Sequence, residues 1–419
     1  MRLPWTPQAL LSTKVVITVA IASLFTSFTN LIPISATVVT LFILSPFLII
    51  QQESQHKLII SLLLLWSYFA LSTLLYSPKA FTSYDFFRRD GKFFISFAPL
   101  LLLGSYRLRI DTDLIIKYFI TITTTTNLLL LSIFAATGGT IWIHEHGIYH
   151  GLFVTHNAAG GFMAFSAACS IGYYFATKHR LLPLSIIINL TALFATDSRG
   201  AMLAILAANA TVFIAKEKRL TLIVAIIILS QLVFLSWLYS QSAPSIFLGS
   251  SEQIDSSHLS DYTNRGWTIL QRTLVYWPRA IYLWLESPIV GTGFGSYNDF
   301  PYNLSGMTHL FAWNSPSKLT FNEGHAHHTF LHVAAETGLV GLLLLINVLR
   351  HAFKFIYNLS NTGLRTTLSL ALWVAIFTAF TENGLFIPSL MIPITILLGL
   401  SLANERWISR QRTFPHTRI

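Results

Sequence analysis

Four histidines and two glutamates fall within one short stretch, Phe321 to Gly341, reading FNEGHAHHTFLHVAAETGLVG. Histidine titrates nearest neutrality, so His325, His327, His328 and His332 suggest proton transfer or ligand contact. Glu323 and Glu336 lie among them, and the stretch runs directly into the apolar LLLLINVL. The cluster therefore stands at a membrane mouth, where ionisable groups are costly and mark function. His325 and His327 are too close for the HExxH zinc pair, and there is no CxxC; His328 and His332, four apart, could share a helix face, a weak metal signal, and no metal or other cofactor is expected.

Cationic groups with phosphate chemistry come next. Arg265 and Arg272 are seven residues apart, which on a helix puts them on one face about 10 Å apart. Tryptophans and tyrosines surround them between Asn264 and Glu286, as befits a membrane–water interface. Guanidinium forks bind phosphate oxygens, so this helix suits a lipid-linked phosphate; the alternative is an interfacial helix whose arginines reach lipid headgroups. Arg199, in Asp197-Ser-Arg199-Gly200, opens an apolar segment, with Asp197 as a potential structural partner. Arg88, Arg89 and Lys92 form a third basic group before another apolar segment and read as phosphate-binding or as a solvated charged loop. The glycine-rich Gly291–Tyr297, GTGFGSY, has no P-loop lysine and no preceding strand; it reads as a tight turn after Pro288.

The elements that must position these groups are membrane helices. Of 419 residues, 53% are hydrophobic and 11% charged, against about 25% charged in soluble domains. The chain is thus expected to be an all-α polytopic membrane protein. A span needs about 20 apolar residues, and twelve are expected: 15–33, 35–50, 57–76, 92–106, 114–137, 154–177, 181–196, 199–216, 219–239, 329–349, 364–382 and 386–404. With the N-terminus in the cytoplasm, most of the 27 lysines and arginines fall on that side, in line with the positive-inside rule. Both termini are then cytoplasmic. One large loop, about 240–328, lies on the outer face between spans nine and ten. Three parts follow: N-terminal helices 1–239, the loop 240–328 with interfacial helices and the first three histidines of the cluster, and C-terminal helices with a tail, 329–419.

The net charge of +10 is read as orienting the chain and meeting membrane lipids, with no nucleic acid and no nucleotide as partner. The single cysteine, Cys169, excludes an intrachain disulfide. Sparse acidic residues argue against a paired-carboxylate glycosidase, and no Gly-x-Ser-x-Gly elbow is present. A transporter is a competing class, but no repeat relates the two halves.

Three motifs resemble the O-antigen ligase family, within the superfamily that also holds O-antigen polymerases and O-oligosaccharyltransferases. They are His327-His328-x9-Gly338-x2-Gly341, Ser198-Arg199-Gly200-Ala201 opening a span, and Arg272 before Tyr276-Trp277 and Ser287-Pro288…Gly291…Gly293…Gly295. The family pattern usually has Asn, Ser or Gln where His328 stands. The resemblance implies a GT-C-like architecture and a metal-independent inverting glycosyltransferase at the periplasmic face of the bacterial inner membrane. The donor would be O-antigen on undecaprenyl pyrophosphate and the acceptor a lipid A–core sugar hydroxyl. His327 would be the general base, with Arg199 and Arg272 (or Arg265) at the pyrophosphate. Arg88, Arg89, Lys92, His325 and His328 would contribute to substrate binding. A polymerase or a protein O-oligosaccharyltransferase differs from this reading only in the acceptor.

Overall fold

The computed structural model describes residues 56–76, 86, 89–105, 110–139, 148–153, 155–214, 272, 276–297 and 325–413. The described chain is helical, with no strand. The helices are α1 (Lys57–Tyr76), α2 (Lys92–Gly104), α3 (Thr112–Ala136), α4 (His156–Thr177), α5 (Leu182–Ala195), α6 (Arg199–Asn209), α7 (Trp277–Glu286), α8 (Thr329–Tyr357), α9 (Thr362–Thr378) and α10 (Pro388–Thr413). Four are long and apolar enough to cross a membrane: α1, α3, α8 and residues Pro388–Ser409 of α10. The expected spans at 92–106, 181–196, 199–216 and 364–382 form shorter apolar helices. The expected spans at 15–33, 35–50 and 219–239 lie outside the described residues, as does most of the 240–328 loop.

Local signals start the helices. Asp111, Thr155 and Asn361 each accept a backbone N–H three residues on, at 3.1, 3.2 and 3.0 Å, and so satisfy one of the four orphan donors of a helix start. Packing then orders them. α10 lies along α2, α9 lies against both α4 and α6, and α8 packs on α1 and α7. Small residues permit the closest approaches, as expected where lipid supplies no hydrophobic drive between helices. A side-chain carbon at Gly399 would sit 2.9 Å from Leu103 Cβ across the α2–α10 seam, and Thr395 donates to Ser96 O at 2.8 Å beside it.

α8 is broken at Gly338, whose φ of 62° and ψ of −163° leave the helical region. A break at membrane depth must find other partners for the freed backbone groups. The loop after α7 supplies them. Leu339 N and Val340 N donate to Pro288 O and Ile289 O at 2.9 and 3.1 Å; Thr292 N and Gly293 N donate to Ala335 O and Glu336 O at 3.2 and 2.8 Å. Contact is so close that a Cβ at Gly338 would lie 2.3 Å from Ile289 C, and one at Gly291, also at positive φ, would lie 2.3 Å from Glu336 C. The glycine-rich loop is thus a backbone splint for a broken helix. Tyr68 of α1 closes it by donating to Val290 O and Thr337 O.

Candidate active site

The break and its splint set the N-terminal end of α8, and with it the histidines. His327 precedes the helix in a left-handed conformation, φ 50°, sparsely populated by non-glycine residues. Its ring lies 5.1 Å from the Tyr276 ring at 30°, and 4.7 Å from that of His325. Tyr276 is itself fixed from below: Tyr297 Oη donates to Tyr276 O at 3.0 Å, and Arg279, 1% exposed, donates to Tyr297 O at 2.6 Å and lies over its ring.

Nδ1 of His327 meets Glu382 Oε2 at 2.8 Å. Glu382 follows the end of α9 and is 8% exposed. Its other oxygen, Oε1, accepts from Arg272 and, at 3.1 Å, from Asn157 Nδ2. Arg272 also donates to Thr381 O at 2.7 Å. Burial alone would raise the Glu382 carboxyl. His327, by charge and hydrogen bond, and then Arg272 and His325 outweigh it and hold the group down to about 2. An ionised carboxylate only accepts, so Nδ1 carries the proton and donates. In the neutral form of that ring Nε2 carries the lone pair and can take a proton.

The Ser198-Arg199-Gly200 turn comes to the same place. Ser198 Oγ donates to Asn157 Oδ1 at 3.2 Å, continuing the network from Glu382. A Cβ on Gly200 would lie 2.5 Å from Thr381 Oγ1, so this turn abuts the Thr381-Glu382 segment. Arg199 begins α6 with its side chain exposed, and no ion pair joins it to Asp197 among the described residues.

His328 takes a different position. It is the N-cap of α8: its Nδ1 accepts from Leu331 N at 3.2 Å. It is buried, with ring contacts to Trp277, Phe330 and Phe380, and burial lowers its pKa to about 4. Asn, Ser and Gln at this motif position would present a side-chain oxygen to the same N–H, and the imidazole nitrogen stands in for it. His325 is half-buried, and its pKa is lowered well below the ordinary value by desolvation, then by His327 and His332, with Lys92 adding to the effect. Lys92 opens α2 and Arg89 lies in the turn before it, both half-buried. Arg88 and Arg265 lie outside the described residues.

Asp90, His332 and Glu336 form a group behind His328, each offering one ligand atom, all within 4.8 Å of one another. The His332 Nε2–Asp90 Oδ1 distance of 2.7 Å is that of a hydrogen bond. Two ligands on one tetrahedral zinc ion would stand about 3.3 Å apart.

Sequence reasoning missed Glu382, Thr381 and Asn157. Glu382 sits in Thr381-Glu382-Asn383 between two apolar helices, and an acidic residue at that depth was the available signal.

Fold and site together define a helical membrane protein with a carboxylate-oriented histidine beside arginine at one end of its helices. The family comparison agrees with that class: residues 184–346 match a family model described as O-Antigen ligase. The matched segment runs from α5 to the middle of α8 and contains Arg199, Arg272 and His327. No curated protein matches the chain.

Proposed function

We propose that this protein is an O-antigen ligase. It transfers polysaccharide from undecaprenyl pyrophosphate to a sugar hydroxyl of lipid A–core at the periplasmic face of the inner membrane. The observation that carries the reading is the His327–Glu382–Arg272 chain of contacts, set within the matched family segment and its C-terminal flank.

A sugar hydroxyl is a poor nucleophile and needs a positioned base. His327 Nε2 takes the hydroxyl proton as the oxygen attacks C1. The C1–O bond to the lipid pyrophosphate breaks, the pyrophosphate leaves with the electron pair, and the anomeric centre inverts. Glu382 holds the ring and stabilises the imidazolium that forms, as a carboxylate does in other His-based sites. Arg272 anchors Glu382. Arg199, exposed and unpaired among the described residues, is the group proposed to meet the growing charge of the leaving pyrophosphate. Arg89 and Lys92 add positive charge for donor binding, and His325, kept neutral with its ring 4.7 Å from that of His327, is assigned to substrate contact. The leaving group is already activated, so the step needs no nucleotide and no metal.

The test is lipopolysaccharide gel analysis of a ligase-null strain carrying this gene. A polysaccharide ladder from wild type and none from His327→Ala is expected. No ladder from well-expressed wild type, with longer lipid-linked glycan or glycosylated protein instead, would replace the ligase by a polymerase or a protein O-oligosaccharyltransferase.

A further inference from the structure

Asp90, His332 and Glu336 are 3%, 0% and 0% exposed, and the mechanism above uses none of them. His332 Nε2 donates to Asp90 Oδ1 at 2.7 Å, with Glu336 Oε2 at 3.5 Å. Glu336 Oε1 accepts from Tyr297 N at 3.0 Å. Three separate pieces of chain therefore meet at one imidazole: the turn before α2, the first half of α8, and the loop that splints α8. The rings of Tyr297 and Phe386 flank it, at 5.1 and 5.6 Å. No lysine or arginine pairs with either carboxylate among the described residues. A buried carboxylate needs hydrogen-bond partners: Asp90 takes the imidazole N–H of His332, and Glu336 takes Tyr297 N, with the same imidazole 3.5 Å from its other oxygen.

The mechanical consequence lies two residues past Asp90. The turn is tight: Gly91 N donates to Phe86 O at 2.8 Å, Lys92 N to Arg89 O at 3.2 Å, and Phe93 N to Asp90 O at 3.0 Å. Fixing Asp90 therefore fixes Arg89 and Lys92. The Lys92 charge is felt at His325, whose ring lies 4.7 Å from that of His327.

We propose that His332 is a positioning residue for anion binding: clamped between Asp90 and Glu336, it holds the Arg89–Lys92 turn against the His327 helix so that Lys92 meets a phosphate of the lipid-linked substrate. The proposal rests on the reading above only in taking that substrate to be a lipid pyrophosphate.

The experiment is a double-mutant cycle on the full-length protein in lipid nanodiscs, reading the affinity for undecaprenyl pyrophosphate itself. His332→Leu and Lys92→Met should each weaken binding about tenfold, and the double variant should be no weaker than Lys92→Met alone. His332→Gln, whose amide N–H can donate to Asp90, should recover most of the affinity. Wild-type affinity in His332→Leu, or losses that multiply to about a hundredfold, would overturn the clamp. If His332→Leu does not fold, Asp90→Asn takes its place in the cycle: coupled losses support the clamp, and wild-type affinity or multiplied losses overturn it. A stoichiometric divalent ion in the purified protein would also overturn the clamp and make the triad a metal centre. Binding needs no acceptor and no turnover. A wild type that binds the lipid, shows the cycle and fails to ligate would sink the ligase reading and leave the clamp standing.

Discussion

Glu382 reaches His327 across 55 residues of sequence, its Oε2 accepting from Nδ1 at 2.8 Å while its Oε1 takes Arg272 and Asn157. This contact puts the proton of a neutral His327 ring on Nδ1 and the lone pair on Nε2. Replacing Glu382 by Gln keeps the volume but frees the imidazole to hold its proton on either nitrogen. Transfer by Glu382→Gln should fall about a hundredfold or more, with unchanged expression and melting temperature within a few degrees. Single-turnover transfer by purified protein checks it; near-wild-type rates would reduce Glu382 to a structural anion.

His327→Ala removes the base and should cost about a thousandfold in the same assay, while binding of the donor lipid stays within a few-fold. Loss of donor binding together with transfer would make His327 a binding residue instead.

Arg272 spans two acceptors, Thr381 O and Glu382, which an ammonium cannot reach together in the same geometry. Arg272→Lys should therefore remain impaired by about tenfold. Combined with Glu382→Gln it should cost clearly less than the product of the single losses, because the two residues act as one unit. Arg199→Lys should also stay impaired, through donor affinity; strict additivity of Arg199→Lys with Glu382→Gln would mark these two as independent groups.

Acid stability separates His328 from Glu382. The folded pKa of His328 is lowered from 6.5 to about 4, so its contribution to stability is present above 6.5 and is lost as pH falls through 4. The unfolded chain takes up a proton over that window and the folded one does not, an effect of about 3 kcal/mol. Glu382 acts lower: its contribution is present above 4.5 and is lost as pH falls toward 2. His328→Asn can still cap α8. It should fold, retain transfer, and flatten the fall in melting temperature between pH 6.5 and 4 expected of wild type. Thermal melts across that range in one detergent check this; an unchanged slope in His328→Asn would assign the acid sensitivity to other groups.

Gly338→Ala places a Cβ 2.3 Å from Ile289 C, a main-chain atom, on a backbone with φ 62°. This variant should lose its folded yield in detergent rather than show a selective loss of transfer. A well-folded Gly338→Ala protein would show that the splint is not rigid.

Much of this molecule was written in local patterns. Apolar runs predicted helices at 57–76, 114–137 and 329–349, and the structure has α1, α3 and α8 there, because a membrane helix satisfies its backbone within its own segment. The likeness of His327, Arg199 and Arg272 to the family motifs was readable too, since motif spacing is a property of the chain alone. The glycine-rich loop was legible as a turn, but its partner was not: that it splints the break at Gly338 depends on backbone bonds between segments some fifty residues apart.

What only tertiary structure decided is who holds whom. Sequence placed Glu382 at the end of an apolar run; packing of α9 against α4 and α6 brings it to Asn157, Arg272 and His327 at once. It also gave His327 and His328 opposite environments, one half-buried on a carboxylate and one buried as a helix cap, although they are adjacent. Neighbouring residues at a helix start point in different directions, so composition and spacing name the candidate groups, while the packed backbone decides which nitrogen meets a carboxylate and which meets a peptide N–H.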